Sequence, residues 1–402
     1  MTRFMRFACP PLAAALAVAL TGLAPTPADA ARIPAFARRY RLSCQVCHLP
    51  IPKLTAFGEQ FAANGYRVGP LEEPRDTIGT GDPLLSLARE LPLAMRLDAY
   101  AQTYANGSAA TDFQTPYIVK LFASGPISKK LSYYTYINLL ERGEVGGFED
   151  AVLIYNDLGG APVDLQVGQF QISDPLFKRE LRLSFEDYAV YRARIGAVPT
   201  DLTYDRGLLA SAELAGFDLI AEVMNGNGIG PADDARRFDN DAGKVFFGRL
   251  SRDLAGWLRL GAIGLTGRTT ADGVDNRTTL WGFDGTFSTG PFELNGQFVK
   301  RRDDRPTYLV GEPVAHTEGG FVEAVYRPAQ SRWHAYGLYN RVTADRPLLD
   351  VRLGGPADSD RYESFSAGFG RIERRNVRWS LEGTWEDVTE LFRLSLGLVT
   401  AF

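Results

Sequence analysis

Two thiols and an imidazole stand within one short run, Cys44-Gln45-Val46-Cys47-His48. That C-x-x-C-H spacing is the attachment site of a c-type haem. The thiols add across the two vinyl groups of the porphyrin, and the adjacent imidazole falls onto the iron. A bare C-x-x-C pair also serves as a redox dithiol or as half of a zinc site. Zinc would want a second pair of ligands, and the only other cysteine is Cys9. The motif predicts one covalent haem c per chain, held by Cys44 and Cys47, with His48 as an axial ligand to iron.

An electron-transfer haem usually carries a second strong ligand, whose identity tunes the potential. Beyond the motif and the first thirty residues, the inventory is Met95, Met224, His316 and His334. Met95 shares an apolar face with Leu93 and Leu97, and His316 falls in a predicted link. Met224 and His334 remain as distal candidates, and each also reads as an ordinary pore-lining side chain. An iron with no strong sixth ligand stays open, and would favour small-molecule chemistry.

Other constellations are weaker. There is no phosphate-binding loop and no nucleophile elbow. Asp98, Asp218, Glu222, Glu293 and Glu382 read as a solvated pore lining that could also draw cations such as Fe(II). Asp233, Asp234, Asp239 and Asp241 offer hard oxygens for a divalent cation, or form an exposed acidic loop.

These residues need elements to position them. Residues 1–30 read as a signal peptide. Arg3 and Arg6 form a basic start, Leu12 to Leu20 an apolar run, and Ala28-Asp29-Ala30 a small-x-small cleavage site. The run is well short of the roughly 20 residues a membrane helix needs. Cleavage removes Cys9 and leaves the motif pair alone.

Residues 31–70 form the haem segment. Pro50 and Pro52 predict an extended exit from His48. Leu54, Phe57 and Phe61 then recur at helical spacing, with a stop at Asn64-Gly65. Phe36 and Tyr40 give a second helical face. These aromatics would sandwich a porphyrin or pack on one another. A piece of fewer than about 40 residues buries too little surface to fold alone, so it is expected to lean on, or sit inside, the rest of the chain. Residues 71–90 read as a linker.

From 91 to 402 the pattern is segments of about ten residues with alternating polarity, the signature of an outer-membrane barrel. Leu93, Met95, Leu97 and Ala99 oppose Arg96, Asp98, Tyr100 and Gln102. Trp281, Phe283 and Phe287 oppose Gly282, Asp284 and Thr286, and Trp379, Leu381 and Trp385 oppose Arg378, Ser380 and Glu382. Short turns, as at Thr289-Gly290, alternate with long links near 141–149, 172–206, 225–241, 301–317 and 344–360. About sixteen strands are predicted, starting near 91, 115, 130, 150, 163, 206, 216, 242, 256, 277, 291, 318, 332, 361, 377 and 391. The even count puts both termini on the periplasmic side. The last strand, Leu391 to Phe402, resembles the signal read by the barrel assembly machinery. The fold class is thus all-β: an antiparallel outer-membrane barrel with a short α-helical haem segment as plug. With 44 Lys and Arg against 48 Asp and Glu, the chain lacks the basic face of a nucleic-acid binder.

Pro34-Ala35-Phe36-Ala37-Arg38, the CQVCH run, Pro52-x-Leu54-x-x-Phe57-Gly58 and Gly65-Tyr66 resemble the fused monohaem c-type cytochrome–porins, whose best-known members are outer-membrane iron-oxidising cytochromes. Val167-Gly168-Gln169-Phe170 and Lys178-Arg179-Glu180 echo phosphate-selective porins more loosely. The resemblance implies an electron conduit, with haem attached at Cys44 and Cys47 and ligated by His48. Where iron-oxidising members carry Gln-Thr-Gly, this chain reads Arg39-Tyr40-Arg41, which puts Fe(II) in doubt as donor and an Fe(II) oxidase activity with it.

The expectation is an outer-membrane protein relaying electrons between an extracellular donor or acceptor and a periplasmic cytochrome or other carrier. A solute porin with a haem gate or sensor, and a small haem enzyme or gas sensor on a barrel, are the alternatives.

Overall fold

The computed structural model describes residues 35–69, 77–82, 85, 87–89, 92–105, 111–173, 175–351 and 358–402. The expected signal peptide lies outside them. Pro34–Phe402 forms one compact unit.

Sixteen antiparallel strands close a barrel. They are β1 (Leu93–Ala105), β2 (Thr111–Pro126), β3 (Leu131–Glu141), β4 (Phe148–Tyr155), β5 (Val163–Gln171), β6 (Tyr204–Leu214), β7 (Phe217–Met224) and β8 (Val245–Ala255). They continue as β9 (Leu258–Ala271), β10 (Val274–Thr289), β11 (Phe292–Asp303), β12 (Ala315–Tyr326), β13 (Trp333–Ala344), β14 (Arg361–Arg374), β15 (Val377–Glu386) and β16 (Leu391–Ala401). Each pairs with its sequence neighbours, and β16 closes on β1 from Phe392↔Ala105 to Ala401↔Arg96. Phe402 ends pinned to that seam, its N–H donating to Met95 O at 2.8 Å while Met95 N–H donates to Phe402 O at 2.6 Å.

The alternation read from sequence is the wall's two faces, because side chains point to opposite sides at every step. Outside, Trp281, Phe283 and Phe365 are 51%, 58% and 55% exposed. Leaving such rings in water forgoes about 1.5–3 kcal/mol each, so the wall is built for an apolar surround. A girdle of aromatics gathers at the end that carries the short turns, with Trp257 against Phe287, Phe292 against Tyr326, and Trp333 edge-on to Trp379. Inside, Asp98, Gln102, Asn340, Glu323 and Glu382 are buried.

Two predicted features differ. The long-link rhythm breaks at Asp272-Gly273 and at 387–390, which are short turns at the loop end. His316, read as a link residue, is the second residue of β12, exposed and opposite Arg302. Part of the predicted linker forms a small ladder, Thr77–Ile78 on Leu87–Ala88.

The largest departure is the link 172–203. It turns inward and fills the lumen rather than standing outside it. Ile172, Leu183, Tyr188, Val190, Tyr191, Ile195 and Leu202 are buried there, and Tyr188 stacks on Phe321 of β12 at 4.2 Å. The anchors reach the far wall. Tyr188 Oη donates to Glu323 (3.0 Å), Phe185 N–H to Glu382 (2.8 Å), Ala189 N–H to Asn340 Oδ1 (3.1 Å), and Arg301 to Thr200 O (2.7 Å). Ala193–Ile195 also pairs with Leu349–Val351 from the 344–360 link. The apolar content of this stretch was the sequence signal, since a link exposed to water has no use for so many large apolar side chains.

Candidate functional site

Three helices carry the motif: α1 (Ala35–Tyr40), α2 (Cys44–Cys47) and α3 (Ala56–Ala63). Ser43 caps α2, its side chain accepting from Gln45 N–H. One helical turn sets Cys44 and Cys47 three residues apart, so both thiols lie on one face. His48 leaves the helix in an extended conformation (φ −126°, ψ 131°) while its N–H still donates to Cys44 O at 2.8 Å.

The exit is compact and not the extended run expected from Pro50 and Pro52. His48 bridges back to Leu54, and Leu49 N–H donates to Lys53 O at 3.0 Å. That turn brings Pro52 O to 2.8 Å from His48 Nδ1. A carbonyl only accepts, so Nδ1 carries the proton and the lone pair of the neutral ring sits on Nε2. Burial pushes the imidazole below its ordinary value, outweighing the Pro52 carbonyl that favours the charged form. Burial also raises both thiols above theirs. The two cysteines are free and half-buried. This donor set fits a covalent haem: two thiols on one face, and a neutral imidazole whose orientation a backbone acceptor fixes, the usual arrangement for a ligating histidine.

The helix after the motif holds it in place. Thr55 caps α3 by accepting from Gly58 N–H (3.2 Å), and its own N–H donates to Cys47 O (2.9 Å). A Cβ on Gly58 would lie 2.3 Å from Cys47 O. Gly58→Ala is therefore expected to push α3 off the motif at a cost of about 1–3 kcal/mol. Absorbance of purified protein at fixed barrel yield checks it: haem content should fall.

The predicted aromatics pack on one another. Phe61 lies edge-on to Phe36 (5.0 Å) and Tyr40 (5.5 Å), and Phe36 stacks on Tyr66 (5.4 Å). The cluster continues into the barrel through Tyr66 on Tyr134 of β3 at 4.7 Å. Gly65, at φ +61°, allows that approach, because a Cβ there would sit 2.7 Å from Ser132 Oγ.

The segment spans the barrel mouth at the end bearing both barrel termini. Lys53 pairs with Glu293 (2.7 Å) on β11 and reaches Glu323 (3.6 Å) on β12. Arg39 donates to Ser124 O on β2 (3.4 Å), Arg375 beyond β14 to Ser43 Oγ (3.2 Å), buried Arg67 to Lys129 O, and Arg327 to Leu49 O. The expectation that the segment leans on the barrel matches these contacts.

The distal candidates separate. Met224 is buried at the loop end of β7, paired with Gly207 and Val245. With a rise of about 3.4 Å per residue, that strand carries Met224 away from the mouth where the motif sits. His334 is the second residue of β13, at the motif's own end. It is 3% exposed, yet neither ring nitrogen has a hydrogen-bond partner among the described residues. Its ring rests over Gly370, where a Cβ would lie 2.6 Å from Nε2. Arg327, which holds Leu49, is within electrostatic reach of it.

The lumen carboxylates do not form an open ring of charge. Asp98 pairs with Arg96 (2.7 Å), Asp218 with Arg259, Glu293 with Lys53, and Glu382 accepts from Phe185 N–H and Tyr336 Oη. In the 225–241 link, Asp233 pairs with Arg237 (2.9 Å) and Asp239 with Lys244 (2.5 Å). No group of three His, Cys, Asp or Glu converges as a metal site among the described residues.

No family model matches the chain, and no curated protein matches it. Solved structures do. An anion-selective porin from Comamonas acidovorans superposes with a TM-score of 0.56 at 10% identity, over 78% of this chain and 99% of that one. The trimer form of OmpT, an outer membrane protein of Vibrio cholerae, gives 0.54 at 12%, over 78% and 99%. The outer membrane channel DcaP of Acinetobacter baumannii gives 0.53 at 12%, over 78% and 97%. At such identities the likeness shows one thing, a porin-type barrel fold.

Proposed function

We propose that this chain is an outer-membrane protein that holds one haem c at the periplasmic mouth of a plugged barrel and relays electrons there. The observation that carries the reading is the 2.8 Å contact between His48 Nδ1 and Pro52 O, beside two free thiols, on a segment seated across the mouth. The apolar outer wall and the porin-type fold support the membrane location. The signal-like start supports export.

Haem supplies a one-electron couple when bound. Cys44 and Cys47 fix it to the chain, and His48 offers Nε2 to the iron. Lys53, Arg39, Arg67 and Arg327 hold the carrying segment against the wall. His334, buried at the same mouth with neither ring nitrogen hydrogen-bonded among the described residues, would be the second residue to hold the haem. The packed 172–203 link favours a relay over a solute porin with a haem gate. A hydrocarbon layer roughly 30 Å thick is too wide for one group at one mouth to cross, so the relay runs on the periplasmic side and hands electrons to a separate periplasmic carrier.

Vesicles carrying purified protein and a trapped redox dye test the reading. With the mouth facing outward and an impermeant reductant and an oxidised soluble carrier both outside, carrier reduction faster than with His48→Ala protein is expected, with no reduction or leakage of the dye. Leakage without reduction would make it a porin. His334→Ala is expected to turn a six-coordinate ferrous spectrum into one that binds carbon monoxide readily, with restoration by added imidazole. Carbon monoxide binding by the unaltered protein would instead place an open iron site here and favour an enzyme or gas sensor.

A further inference from the structure

The mouth segment and the 172–203 link are held by the same wall residues. On β12, Glu323 is 2% exposed. Its Oε2 meets Lys53 of the segment (3.6 Å), and its Oε1 accepts from Tyr188 Oη of the link (3.0 Å). On β3, the ring of Tyr134 stacks on Tyr66 of the segment (4.7 Å) and lies under the ammonium of Lys178 from the link (5.2 Å). Glu323 and Tyr134 each stand three residues from the mouth end of their strands. In the ring of sixteen, β3 and β12 are nine strands apart one way and seven the other. The two shared anchors therefore sit on opposite walls of the lumen.

The joint on β12 is charged. Asn295 donates to Glu323 and to Glu293, both at 2.9 Å, and Lys53 is 2.7 Å from Glu293. Two carboxylates thus meet around one ammonium. Among the described residues, Lys53 is the only cation paired with either. When the segment leaves its seat, that cation goes with it and water enters from the mouth. Water then competes for the hydrogen bond from Tyr188, which is worth more in a dry, low-dielectric site. The contact of Lys178 with Tyr134 weakens for the same reason, since cation–π attraction is strongest when desolvated.

We infer that the mouth segment is a latch on the lumen link, and that the barrel is a conditional pore which opens when the two let go together. With the segment seated, the lumen stays filled, as the relay reading requires. The latch uses no haem chemistry, so it can fail while that reading stands, and the reverse. Coupling of this kind is reciprocal: what loosens the link must loosen the segment by the same factor.

The test uses the full-length protein. Conductance is read in planar bilayers bathed in potassium chloride, and hydrogen–deuterium exchange in nanodiscs by mass spectrometry. Lys53→Met leaves Glu323 buried without a cation. It should raise the open fraction about tenfold or more, and speed exchange in 35–69 and in 180–195 alike. Glu323→Gln removes the charge but keeps an acceptor for Tyr188, so combined with Lys53→Met it should cancel most of that rise. Asp187→Ala, which loosens the link from within, should speed exchange in α3. Heat-modifiable migration on gels reports that each barrel is folded. A Lys53→Met protein as quiet as its parent, or one that exchanges faster in 35–69 alone, would overturn the latch. So would unchanged exchange of α3 in Asp187→Ala. An opening that Glu323→Gln does not relieve would overturn it too, because Lys53 would then act on the segment's seat and not through the shared carboxylate.

Discussion

Replacing His48 by Ala is expected to leave a barrel that assembles in full and to abolish the low-spin signature of the proposed haem. The two halves of that result have separate causes. The wall is held by sixteen ladders that do not involve the motif, and the segment keeps its other anchors at Lys53, Arg67 and Arg39. On the proposed reading ligation would be lost, because the imidazole is the group whose Nδ1 is fixed by Pro52 O and whose Nε2 lone pair faces away from that bond. Met offered in its place, as His48→Met, has a thioether with no N–H to donate to Pro52 O and should recover the spectrum only in part. Absorption spectra of both redox states, with the covalent haem band on a denaturing gel as reference, check both. A normal low-spin spectrum in His48→Ala means that another residue is the ligand.

Asp187→Ala is expected to open the barrel. Asp187 and Arg179 are both buried within the 172–203 link and form an ion pair, with Arg192 (3.4 Å) and Arg182 (3.7 Å) on the same carboxylate. Removing one partner of such a pair costs about 3–5 kcal/mol, because the cations stay buried without their anion. That shifts an open-to-closed ratio by about two orders of magnitude or more. Single-channel conductance in planar bilayers is the measurement, and a variant as quiet as its parent would show that the apolar packing of Tyr188, Tyr191 and Phe321 suffices to hold the plug. The same pair sets an acid response. Burial alone would raise the Asp187 carboxyl, but Arg179, Arg182 and Arg192 outweigh it and hold it well below the usual carboxylate range. A depressed folded-state value means its stabilisation is complete above the ordinary pKa of about 4 and is lost only as pH falls through the depressed value. Conductance of the unaltered protein should therefore stay low on acidification from pH 7 through about 4.

Much of this was legible because β alternation is a local code. Each residue declares its face by its type, and a period of two survives without knowledge of any distant partner. All sixteen strands were anticipated within a few residues of their starts, from Leu93 to Leu391. The lumen parity of Glu222, His334 and Glu382 read correctly for the same reason. The helix after the motif was legible from Leu54, Phe57, Phe61 and the Asn64-Gly65 stop.

What failed were statements about links. Whether 172–203 stands in water or folds inward depends on Glu323, Asn340 and Glu382, which lie more than a hundred residues away. The two prolines after His48 read as extended because proline fixes its own φ, while the turn is decided by hydrogen bonds to Leu49 and His48. Met224 and His334 had equal standing on parity alone, since parity gives the face and not the height in the barrel.

By itself, then, the sequence determined the wall, because a period of two is a short-range pattern, and it carried the C-x-x-C-H run on which the haem proposal rests. Only the tertiary structure decided that the lumen is filled, that the helical segment spans the mouth, and that His334 shares its end. Those are matters of long-range closure, in which side chains far apart in the chain compete for the same interior and the best packed and best hydrogen-bonded set wins.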